Sequence, residues 1–128
     1  MRKTLLISTL AATVLAGCAP TIQLSATSVG LSETIDRQAR SLASYDLIDP
    51  ASAQYRNLNA YQLSNGDIAI CGEQNGRNRL GGFVGFQPFY LRFTPGASPT
   101  RRSLHREFLA LSACDALRSG RGIPIAAE

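Results

Sequence analysis

The stretch Ser64-Asn65-Gly66-Asp67-Ile68-Ala69-Ile70-Cys71-Gly72 constrains the fold more than any other. Asn-Gly between two strand-like runs is a strong local hairpin signal. The run after the turn is apolar on both faces, which places it centrally in a sheet. On the other side of the turn, Tyr55, Leu58, Tyr61 and Leu63 mark an irregular, bulged partner strand over 55–63. A third strand reads over 83–93, where five of the nine aromatic residues fall. Pro88 within it has no amide proton and suggests a sheet edge or a bulge.

Helical periodicity flanks this sheet. Leu31, Ile35, Ala39, Leu42 and Tyr45 fall on one stripe of a helix within 28–48, capped by Ser28 or Ser32. Asp49-Pro50 ends that helix and opens a short turn with Pro50 at its first position. Residues 73–82 and 94–99 read as loops. A last helix is expected over 103–119, with Leu104, Phe108, Leu111 and Cys114 on one face and Gly120 as its C-cap. The expected architecture is α+β: a three-stranded antiparallel sheet with the N- and C-terminal helices on one face. A length of 128 residues allows one domain.

The first residues carry an address. Met1-Arg2-Lys3 precedes a mostly apolar run of about a dozen residues, too short to span a bilayer, which needs about 20. The run ends Leu15-Ala16-Gly17-Cys18, which resembles the lipobox of bacterial lipoproteins. The resemblance implies a signal peptide over 1–17, cleaved before Cys18, and a diacylglycerol on the Cys18 thiol. It also implies acylation of the new amino group. Two or three acyl chains anchor stably where one does not. Residues 18–27, small and polar, read as a tether, and 28–128 as the α+β domain. Ala19 stands where an inner-membrane retention Asp would sit, and the resemblance to enteric lipoprotein sorting signals then implies the outer membrane, facing the periplasm.

Removing 17 of the 128 residues leaves 111, with 11 basic residues, all Arg, against 9 acidic ones. The net charge falls from +4 to +2. Two cysteines remain, Cys71 and Cys114. In an oxidising compartment such a pair points to a disulfide; the alternative is two buried thiols. The bridge would staple the central strand to the last helix.

Two blocks resemble a family of small exported bacterial and phage proteins. One is Asp49-Pro50-Ala51-Ser52-Ala53-Gln54-Tyr55-Arg56. The other is Cys71-Gly72-Glu73-Gln74-Asn75-Gly76-Arg77-Asn78, followed by Gly81-Gly82-Phe83-Val84-Gly85-Phe86. The similarity covers about residues 45–115, with Gln74 where Val is usual. It supports the fold and the cysteine pair and implies no activity.

The chemistry in the chain is sparse. His105 is the single histidine, which excludes a multi-histidine metal site, and Lys3 is the single lysine. Gly76 and Gly81 have the spacing of a phosphate loop, but Gly82-Phe83 stand where Lys and Ser/Thr are required. His105 and Cys114 point to opposite sides of a continuous helix. No cofactor, metal or catalytic group is expected. The loop 75–82 reads either as backbone geometry set by Asn75, Asn78 and the glycines, or as an anion or sugar contact. The contact would be built from Arg77, Asn78 and Arg79 with Arg56. Arg101, Arg102 and Arg106 form a basic cluster that suits a solvated face or anionic lipid headgroups.

The expected function is therefore that of a monomeric, membrane-anchored periplasmic lipoprotein of structural or adaptor type, with an envelope protein or an anionic glycan or lipid as its candidate partner. The alternative is a binding module for lipopolysaccharide or peptidoglycan; a hydrolytic enzyme is a distant third. Nucleic acid is not an expected partner. Cys18→Ser should move the protein from the membrane pellet to the soluble fraction; continued sedimentation with membranes would refute the anchor.

Overall fold

The structure, a computed structural model, describes residues 22–96 and 100–124, and of residues 100–102 only the backbone. Cys18 and the leader lie outside the described residues. The chain runs β1 (Gln23–Leu24), β2 (Ala26–Val29), α1 (Glu33–Ser44), a 3-10 turn (Pro50–Ser52), β3 (Gln54–Leu63) and β4 (Ile68–Asn75). It continues with β5 (Gln87–Thr94), β6 (Thr100–Arg106), α2 (Glu107–Arg118) and β7 (Ile123–Pro124). Strands β2-β3-β4-β5-β6 form an antiparallel meander, and β1 pairs with β7 in a separate two-stranded ribbon.

The α+β class and the antiparallel sheet match expectation; the strand number does not. The sheet has five strands rather than three. Residues 23–27, expected within the tether, carry β1 and the start of β2. Residues 100–106 form β6, so the last helix begins at Glu107 rather than at 103. β4 is the middle strand, as its composition demands, and it runs on to Asn75 into the expected loop. The aromatic run is split: β5 starts only at Gln87. Pro88 lies in an inner strand, but beyond the point where β6 pairs, since that ladder begins at Phe89 opposite Arg106.

The helices lie on opposite faces of the sheet, not on one. Ile68, Ile70, Phe89, Leu91 and Phe93 point to the side where α1 packs through Ala39 and Ala43. Ala69, Cys71 and Tyr90 point to the other side, under Ala110, Cys114 and Leu117 of α2 and Leu24 and Ile123 of the ribbon. Complete burial of side chains such as Ile70, Leu91 and Phe93 contributes about 1.5–3 kcal/mol each.

Local sequence explains the ends of the elements. Ser32 caps α1 by accepting from the Ile35 amide at 3.3 Å, and Glu33 and Asp36 in the first turn suit the helix dipole. α1 stops at Ser44, and Tyr45 is exposed, off the apolar stripe. The β3–β4 connection is Ser64-Asn65-Gly66-Asp67, with Gly66 at φ +91°. α2 closes with the Arg121 amide on the Ala116 carbonyl and the Gly120 amide on that of Leu117, the Schellman pattern. Phe108 and Leu111, expected in its apolar face, are exposed, and Leu104 lies in β6 on the α1 side.

Cys71 and Cys114 are joined by a disulfide, with Cα atoms 5.8 Å apart. It closes a 43-residue separation and so contributes about 4 kcal/mol in the chain-entropy model.

Among the described residues one ion pair is buried. Arg92 Nε donates to Asp67 Oδ2 at 2.8 Å, and both side chains are 4% exposed. Thr94 donates to the other carboxylate oxygen at 2.8 Å, and the Asn65 amide group adds a bond at 3.0 Å. Burial pushes the Asp67 carboxyl up, but the bonds from Thr94, Asn65 and Arg92 outweigh it and hold it below the ordinary value. A carboxyl depressed in the folded state contributes stability above the unfolded pKa of about 3.9 and loses it as pH falls through the folded value. Asp67→Asn leaves Arg92 buried without its counter-charge. The expected loss is about 3 kcal/mol of unfolding free energy at neutral pH, with a shallower decline below about pH 4. Urea unfolding at a series of pH values checks both; identical acid limbs would refute the assignment.

Candidate functional site

The two motif blocks, separate in sequence, meet at the end of the sheet opposite the Asn65-Gly66 turn. A bulge in β3 brings them together. Arg56 pairs with Glu73 but Asn59 pairs with Cys71, so β3 spends one residue more than β4 over this interval. Asn57 takes up the extra residue at φ +55°, a conformation that Asn tolerates better than most. The bulge resets the in–out alternation, which is why Tyr55 and Leu58 both face α1.

The bulge aims two side chains at one carboxylate. Arg56 binds Glu73 with two bonds, at 2.9 and 3.0 Å, and Asn57 donates to it at 2.7 Å. The Arg56 guanidinium and then the Asn57 amide hold the Glu73 carboxyl below its usual range. Arg56 also stacks over Phe86, 4.0 Å from the ring centre. The open groove beside this cluster is about 450 Å³ and is floored by Cys71 and Cys114, with Leu111 and Arg118 on its α2 side.

Beyond β4 the chain forms a small folded excursion over 76–86. Arg77 pairs with Phe83 in an isolated bridge, and the Asn78 amide donates to the Gly82 carbonyl at 2.8 Å. The Asn78 side-chain oxygen accepts from the Leu80 and Gly82 amides at 3.0 and 3.1 Å. Buried Asn75 accepts from the Gly85 amide at 2.9 Å and donates to Gln54 at 3.0 Å. Gly81 and Gly85, at φ +83° and +100°, allow the two reversals. At the tip Leu80 is 95% exposed, and Phe83 and Val84 are exposed beside it.

Arg56, Asn75, Arg77 and Asn78 are thus gathered at one end of the sheet, with Arg79 on the exposed loop between them. Their groups are largely spent on the protein itself. Asn75 and Asn78 hold backbone, which is the geometric reading of this loop. Arg56 is engaged by Glu73, and Arg77 approaches Asp49 at 3.9 Å and stacks on Phe83. Arg79 has no ion pair among the described residues. Arg106 ends β6 and is not a free member of a basic cluster. It makes two bonds to Asp46, at 2.9 and 2.8 Å, and donates to the Ala43 carbonyl at 3.1 Å and to Gln74 at 3.3 Å. Gln74 is buried and bridges the Ala43 carbonyl and the Tyr55 hydroxyl. The side chains of Arg101 and Arg102 lie outside those described. His105 stacks on Tyr90, with ring centres 5.8 Å apart, and Cys114 is bridged, so the two form no nucleophilic pair.

The sequence reading misses the exposed apolar tip. Leu80 passes as one residue in a polar loop, and Phe83 to Phe86 read as strand. The signal that separates them from β5 is Gly81, Gly82 and Gly85, which bracket the aromatic residues with turn chemistry. Asn78→Ala removes the acceptor of two loop amides and should cost about 1–3 kcal/mol of local stability. Hydrogen exchange should accelerate at the Leu80 and Gly82 amides and stay unchanged in β4 and β5; uniform acceleration would show a role in the whole fold instead. No family model matches the chain, and neither does any curated protein or solved structure.

Proposed function

We propose that this chain is a lipid-anchored adaptor of the bacterial envelope, held by acyl chains on Cys18 and facing the periplasm. In this reading the excursion 76–86 is the surface that a partner protein grips. The observation that carries it is a loop cross-braced by hydrogen bonds with an apolar tip. Leu80, Phe83 and Val84 are held in water by loop amides that donate to the side-chain oxygens of Asn75 and Asn78. Ordering before binding lowers the entropic cost of association, and a central apolar anchor is what protein interfaces use. The lipobox supplies the anchoring half of the reading.

The arginine environment favours a protein partner over an anionic glycan. Arg56 and Arg77 already face carboxylates, which leaves Arg79 to meet a phosphate or sugar acid. A photo-crosslinker in place of Leu80, activated in intact cells, should capture one envelope protein, and Val84→Asp should abolish that product without altering the amount of protein. Capture of lipopolysaccharide or peptidoglycan, lost in Arg77→Ala/Arg79→Ala, would overturn the adaptor in favour of the glycan module.

A further inference from the structure

We infer that the N-terminal half of α2 lies on the same lipid leaflet that carries the anchor. The inference rests on the lipid-anchor reading of Cys18 and adds a second contact with the bilayer. Gln23 opens β1 five residues after Cys18. Fully extended, that stretch reaches about 18 Å, less than the thickness of a bilayer core. The side of the domain where β1 enters is therefore kept near the headgroups.

That side is the α2 layer. Gln23 pairs with Pro124 of β7, and Pro124 and Ile123 line one cleft of about 220 Å³ together with Leu109 and Ala113 of α2. The incoming chain thus arrives next to the first turns of α2. After exposed Glu107, those turns present apolar side chains outward: Phe108 is 78%, Leu109 59% and Leu111 58% exposed. Ile22, on the incoming chain itself, is exposed as well. No such surface exists on α1, whose outward residues form the ion pairs Glu33–Arg37 and Asp36–Arg40. The C-terminal half of α2 is polar, with Asp115 paired to Arg121 and Arg118 exposed. A helix that is apolar outward only where the tether arrives suits shallow insertion between headgroups. On α2 and its closing turn, Glu107 and Asp115 are matched by Arg118 and Arg121, so apolar burial, rather than attraction to anionic lipid, supplies the contact.

The absence of tryptophan from the chain makes the test direct. Phe108→Trp places a single indole at an exposed position, and Tyr45→Trp, beyond α1, is the control. Each full chain is expressed, purified from membranes and reconstituted in vesicles of phosphatidylethanolamine and phosphatidylglycerol with brominated acyl chains. The indole of Phe108→Trp should shift to shorter wavelength, lose most of its emission to bromine and resist acrylamide; that of Tyr45→Trp should do none of these. Adding Leu109→Ser and Leu111→Ser should return the first indole to water. Equal exposure of both indoles would overturn the docking, and so would a blue shift without bromine quenching, which signals contact between copies. Mass spectrometry of the purified chain reads the anchor separately. An unacylated Cys18 would sink the anchoring reading, and its thiol would then be coupled to a maleimide lipid so that the docking is still measured.

Discussion

Both faces of β4 are apolar, and the rest of the structure follows from that constraint. A strand with Ile68 and Ile70 on one side and Ala69 and Cys71 on the other can be stable only between two strands and between two layers. Strands β3 and β5 supply the first requirement and helices α1 and α2 the second. The disulfide then ties β4 to the α2 layer, where Cys71 and Cys114 lie among Ala69, Tyr90, Ala110 and Leu117.

The hairpin, the middle strand, the first helix and the cysteine pair were legible because each rests on a local signal: Asn-Gly, an unbroken apolar run, a stripe at helical spacing, an even cysteine count. The layer arrangement was implied by the same apolar run, yet helices on one face leave Ala69 and Cys71 or Ile68 and Ile70 uncovered. β6 was hidden because Thr100 to Arg106 holds one clearly apolar residue, Leu104. Its strand conformation comes from pairing with β5, not from its own composition. β1 and β2 were hidden for a related reason: six residues in two short pieces gain order only from β7 and β3.

At the candidate site the sequence marked the right region for a different reason. The arginines attracted attention as anion ligands, whereas the structure uses Arg56 and Arg106 as internal struts to Glu73 and Asp46. A guanidinium that already holds a carboxylate bidentately has few donors left for a ligand. The partners of these arginines stand 17 and 60 residues away, beyond the reach of spacing rules. Asn75 and Asn78 were legible as turn-forming residues, and their bonds are of that kind.

The pairing of β1 with β7 has a mechanical consequence. Tension that enters the domain at residue 22 meets first a ladder of only two residue pairs, then the four pairs of β2 against β3. The segment between Cys71 and Cys114 lies behind a covalent bond and cannot be drawn out at all. A pull on the N-terminal side would thus peel the domain in a fixed sequence and stop at Cys71, leaving β5, β6 and most of α2 inside a closed loop able to re-template the strands that were lost.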